Sequence, residues 1–135
     1  MLLALFLPLV GRAEAGPAEA VQGYFQALGR QDFGRALSLT CGDAQKSTSH
    51  MVMTLKNEAA AHHARVEVQV KKVDVRGLGA PEPGRGVPVA VDFHIDVVGK
   101  KWCFAKVARR LEGQAKFWVD PERADKIVAI DGNIE

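Results

Sequence analysis

Three residues of the kind that bind metals or move protons alternate at Asp92, His94 and Asp96. In an extended chain such residues project from one face at intervals of about 7 Å, and two carboxylates with an imidazole can hold a divalent cation or share a proton. Their neighbours Val89, Val91, Phe93, Ile95 and Val97 are all apolar and point the other way. Because that apolar side is the one that must be buried, the trio is expected to face solvent or a partner subunit. It is read as a polar sheet face, with no metal and no cofactor. Cys41 and Cys103 are the only cysteines, and neither belongs to a CxxC or a histidine-rich cluster, which sets aside zinc and thiol-redox chemistry. An even count permits one disulfide, which in the chain-entropy picture contributes about 4 kcal/mol for a loop this long; two buried thiols are equally open. His62 and His63 are adjacent, so on a helix they diverge by about 100°. They suit a helix C-terminus better than a shared metal.

The elements that position these residues follow from hydrophobic spacing. Pro17 fits a first helical turn, Val21, Tyr24, Phe25 and Leu28 recur at helical intervals, and Gly29 is the expected stop. Asp32 is a good N-cap for a short second helix in which Phe33, Ala36, Leu37 and Thr40 share a face. Cys41-Gly42-Asp43 is expected to break that helix, and a third begins near Ser47 or Thr48 with Val52, Leu55, Ala59 and His62 on one side. After His63 the period changes to two. Val66, Val68 and Val70 share one parity and Val73 and Val75 the other, so a bulge is expected near Lys71-Lys72. Residues 77–86, with four glycines and two prolines, read as an exposed loop. A strand through residues 89–97 follows, with Gly99-Lys100 as a two-residue turn into a strand over 101–111. That turn places Val97 opposite Trp102, Ile95 opposite Phe104 and Asp96 opposite Cys103. Shorter strands are expected over 116–119 and 127–130.

The chain of 135 residues fits one domain. A net charge of +2, from 18 basic and 16 acidic residues, supplies no field that would gather nucleic acid. Residues 1–10 form an apolar run too short to span a bilayer. It leads into Ala13-x-Ala15, which fits signal-peptidase cleavage, so residues 1–15 are expected to be a signal peptide and 16–135 the exported domain, periplasmic or extracellular. Three helices followed by an antiparallel sheet predict an α+β domain, with the helices in the concave face of a strongly curved sheet.

The run Glu19-Ala20-Val21-Gln22-Gly23-Tyr24-Phe25-Gln26-Ala27-Leu28, followed by Asp32-Phe33-x-x-Ala36-Leu37-x-Leu39, resembles the opening of the nuclear transport factor two-like superfamily, the cone-shaped α+β fold shared with ketosteroid isomerase. The resemblance covers roughly the first 25 residues after the apolar run. It departs from the family where Arg30-Gln31 separate Gly29 from Asp32. It looks closest to exported members of unknown function. What the resemblance implies is an apolar pocket between helices and sheet, and homodimers through the sheet's outer face. The expected lining is Tyr24, Phe25, Leu28, Val52, Leu55, Val91, Phe93, Ile95, Trp102 and Phe104, with Phe117 and Trp118 as further aromatic surface. Tyr24 stands where isomerase-like members carry a tyrosine that donates to an oxyanion, but Asp43 is the only acid near the place of the expected base, and it reads as a turn residue. The expectation is therefore a noncatalytic domain that binds a small apolar ligand or a protein partner, with an isomerase or dehydratase, or a structural homodimer, as alternatives.

Overall fold

A computed structural model of the chain describes residues 16–62, 64–101, 104–123 and 125–132, with the side chain of His62 excluded. The expected signal peptide, His63, Trp102 and Cys103 lie outside these residues. Helix α1 covers Gly16–Gly29, α2 Phe33–Ser38 and α3 Gly42–His62; strands β1 Arg65–Leu78, β2 Val87–Lys101, β3 Phe104–Asp120 and β4 Lys126–Asp131 follow. The four strands form one sheet in the order β1-β2-β3-β4, each antiparallel to its neighbour. The helices pack in the concave face of that sheet, an α+β architecture.

Alternation along β2 decides which face is covered. Val89, Val91, Phe93, Ile95 and Val97 are all buried, and they share one core with Val21, Tyr24, Phe25 and Leu28 of α1. Removing such side chains from water contributes about 1.5 to 3 kcal/mol each. The β1–β2 register slips between Val70 and Lys72, where the parity change predicted a bulge, and again between Val75 and Gly77. Each slip adds a bend to the strand.

Three expectations about the elements need correction. Helix α3 begins at Gly42, not near Ser47, because Ala44 and Thr48 extend its buried stripe one turn upstream and Asp43 suits the positive end of the helix dipole. Gly99-Lys100 is not a turn. Both residues pair across to β1, Gly99 with Val66 and Lys100 with Arg65, and Lys100 Nζ lies 3.1 Å from Glu67 Oε1. Strand β2 therefore runs on to Lys101, which pairs with Phe104. Ile95 consequently faces Leu111 and Asp96 faces Arg110, in place of Phe104 and Cys103. Finally, β3 is one strand where two were expected. It passes through Gly113 at φ +138°, a backbone conformation that glycine adopts without a steric cost.

The junction between α1 and α2 also differs from expectation. Gly29 is the last helical residue, but the left-handed position belongs to Gln31, at φ +61°. Its side-chain amide donates to Val68 O at 2.6 Å and accepts from Val68 N at 2.9 Å. The amide thus behaves as one residue of an adjoining strand on the outer edge of β1. Asp32 caps α2 as expected, accepting from Arg35 N at 3.1 Å.

Candidate functional site

The helices and the sheet enclose a cavity of about 110 Å3. Leu28 of α1, Met51 and Leu55 of α3, Val68 of β1, Ile95 and Val97 of β2, and Leu111 of β3 form its apolar lining, while His50, Thr54 and Arg109 supply polar groups. Helical spacing puts Met51, Thr54 and Leu55 on one side of α3, and strand alternation puts Ile95, Val97, Arg109 and Leu111 on the inner sheet face. Thr54 Oγ1 donates to His50 O at 2.9 Å. Arg109 Nη2 donates to Glu58 Oε1 at 3.1 Å.

Of the ten side chains expected to line a pocket, Leu28, Leu55 and Ile95 do so. Tyr24, Phe25 and Phe93 are instead packed into an aromatic cluster with Phe117. Ring centres lie 5.8 Å apart for Tyr24 and Phe25, 5.7 Å for Tyr24 and Phe117, 5.5 Å for Phe25 and Phe117, and 6.1 Å for Phe25 and Phe93. Edge and tilted contacts at these separations are favourable, and none of the four rings lines the cavity. Val52 and Val91 are buried without lining the cavity. Phe104 is 70% exposed, a correction that follows from the longer β2: it pairs with Lys101 at the turn end of the β2–β3 hairpin. Trp118 lies on the opposite face from Phe117, with the Arg85 guanidinium 4.1 Å from its ring centre. Spacing alone had offered no signal for His50, Thr54 or Arg109, which reach the cavity only through the register of β3 and the rotation of α3.

The geometry around Tyr24 does not assemble an acid and a base. Its hydroxyl and Thr48 Oγ1 are 2.8 Å apart in the buried interior. Burial pushes the phenol up to about 12, the Thr48 hydrogen bond pulling weakly the other way. Asp96, 4% exposed, is the buried acid among the described residues, and it lies on the outer face of the sheet. There it accepts from Arg110 Nε at 3.0 Å and is 2.9 Å from His94 Nε2. Burial disfavours the charged form of Asp96, but the hydrogen bonds and charges of Arg110 and His94 outweigh it and hold the carboxyl below its ordinary value. Asp92 faces the same way and pairs with Arg76 Nη1 at 3.0 Å. The alternating trio is thus a row of ion pairs on the outer face, and no cluster of three metal-ligating side chains occurs among the described residues. Cys41 is a free, half-buried thiol beside Arg123, whose Nη1 is 3.9 Å from its Sγ; its expected partner Cys103 lies outside the described residues.

No family model, curated protein or solved structure matches the chain. Among the described residues no helix is long and apolar enough to cross a membrane.

Proposed function

We propose that the chain is an exported, noncatalytic binding domain of the nuclear transport factor two-like kind, and that it holds a small apolar group between its helices and sheet. The cavity carries this reading. A fully packed core of this size would close such a space, since voids cost stability in proportion to their volume. Here the space persists beside polar groups that can orient a guest. Its volume, about 110 Å3, falls short of the roughly 300 Å3 at which drug-sized sites begin, so the guest is a small molecule or one aliphatic side chain of a partner. A noncatalytic role is supported by the position of Tyr24, held by Thr48 outside the cavity, with Asp96 across the sheet from it.

The test is a methyl NMR titration with butan-1-ol. Saturable shifts at Leu28, Leu55 and Ile95 are expected, and Leu55→Phe, which fills the space, should abolish them. Shifts confined to the Phe104 end of the hairpin, or none that saturate, would end the reading. Export is checked separately by intact mass, with a mature chain expected to start near Gly16.

A second reading, a homodimer through the sheet, is favoured by Phe104 and Val107, which are 70% and 42% exposed on β3. Light scattering separates a monomer from a dimer, and Phe104→Lys should dissociate the dimer.

A further inference from the structure

We propose that the guest is a short-chain aliphatic monocarboxylate, its tail in the cavity and its head on Arg109. The inference rests on the apolar-cavity reading above and adds the chemistry of the head group. Arg109 belongs to the wall of the cavity, so a tail seated against Leu111 and Val97 brings its terminal group within the reach of a guanidinium. That guanidinium is incompletely engaged. Its one hydrogen bond among the described residues runs from Nη2 to Glu58 Oε1, between side chains 45% and 35% exposed. An ion pair this exposed is weak and easily exchanged, and one nitrogen bound to one oxygen falls short of the two parallel bonds that a guanidinium can make to a carboxylate. Glu58 is then a resident carboxylate that an incoming one displaces.

Of the other polar groups at the cavity, the His50 ring can present an N–H to an acceptor head, whereas Thr54 has its hydroxyl proton committed to His50 O and offers a guest lone pairs only. A cationic guest is disfavoured by Arg109. A neutral alcohol leaves the guanidinium with Glu58 and gains only the apolar part of the site. Size sets the tail. An apolar cavity of about 150 Å3 holds benzene, so 110 Å3 takes a tail of about four to five carbons.

The experiment compares pentanoate with pentan-1-ol by NMR titration at neutral pH, and extends to octanoate. Charge-assisted hydrogen bonding predicts that pentanoate binds about tenfold or more tighter than pentan-1-ol, and octanoate should bind more weakly than pentanoate. Arg109→Met should bring pentanoate down to the level of the alcohol while leaving the alcohol unchanged. Glu58→Gln, on an exposed part of α3, should raise pentanoate affinity by up to about fivefold, and it keeps the test alive if Arg109→Met folds poorly. Equal affinity for alcohol and acid, or an acid preference that survives Arg109→Met, overturns the carboxylate inference and leaves the apolar cavity standing. Failure of both probes to bind overturns both.

Discussion

Tyr24 is the single tyrosine of the chain, so its titration can be followed without interference. Because burial raises its folded value to about 12 above the usual value near 10, its contribution to stability is fully present below pH of about 10 and is lost as pH climbs from there through about 12. Tyrosinate absorbance should therefore stay absent at pH of about 10.5 in folded protein and appear there in urea. The hydroxyl itself matters through Thr48. Tyr24→Phe strips a buried hydroxyl of its partner and should cost about 1 to 3 kcal/mol, whereas Tyr24→Phe with Thr48→Val removes both polar groups and should recover much of that loss. Urea midpoints for the four proteins of the cycle measure the coupling. A Tyr24 that served an oxyanion would give no such recovery, since its hydroxyl would not depend on Thr48.

At the scale of elements, the strand parities were legible because β2 alternates strictly, and Val91, Phe93 and Ile95 point inward as their spacing requires. The bulge near Lys72 was legible for the same reason, since Val70 and Val73 cannot share a face without it. What misled was local chemistry overridden by distant pairing. Gly99-Lys100 has the composition of a tight turn, yet β1 reaches back to pair with both residues. Gly42-Asp43 has the composition of a loop, yet Cys41 N donates to Ile127 O at 2.9 Å and Ile127 N to Leu39 O at 2.8 Å, which fixes the chain just ahead of α3. Gln31 has the composition of a connecting segment, yet its side chain closes a strand edge on Val68. Gln31→Ala loses both hydrogen bonds to Val68 and should cost about 2 kcal/mol. Gln31→Gly loses them too but relieves the left-handed backbone, an offset of about 1 kcal/mol, so it should be the milder change by urea denaturation. Gly86 tests the hairpin loop: at φ +99° a Cβ there would run into the backbone of Val119, and Gly86→Ala should lower the unfolding midpoint more than Gly84→Ala, which meets no atom within 4 Å.

For the molecule as a whole, the two faces of the sheet have different chemistry and answer to different conditions. The inner face is held by burial of apolar side chains. The outer face carries Asp96 between Arg110 and His94, with its carboxyl lowered. A carboxyl lowered in the folded state stabilises above its unfolded value, about 3.9 for Asp, and that contribution is lost as pH falls through the folded value. Wild type should therefore exceed Asp96→Asn in urea midpoint at neutral pH, and the difference should shrink as pH is taken below about 4. A gap of constant size across that range would show that the charge on Asp96 contributes nothing. The cavity depends on the whole molecule in the same sense. Its lining comes from α1, α3, β1, β2 and β3, and no short stretch of sequence announces it.

The amide of Gln31 has one more effect. Leu28 and Val68 form adjacent parts of the cavity wall, and Gln31 N bonds to Leu28 O at 3.1 Å while its side chain grips the Val68 backbone on both sides. That flank is clamped at a fixed width. The same cavity is also lined by Met51, which bends on three rotatable bonds, and by Arg109, held by a hydrogen bond at the surface. For the guest we propose, the clamped wall of Leu28 and Val68 would set the fit of the tail, and Met51 and Arg109 its admission.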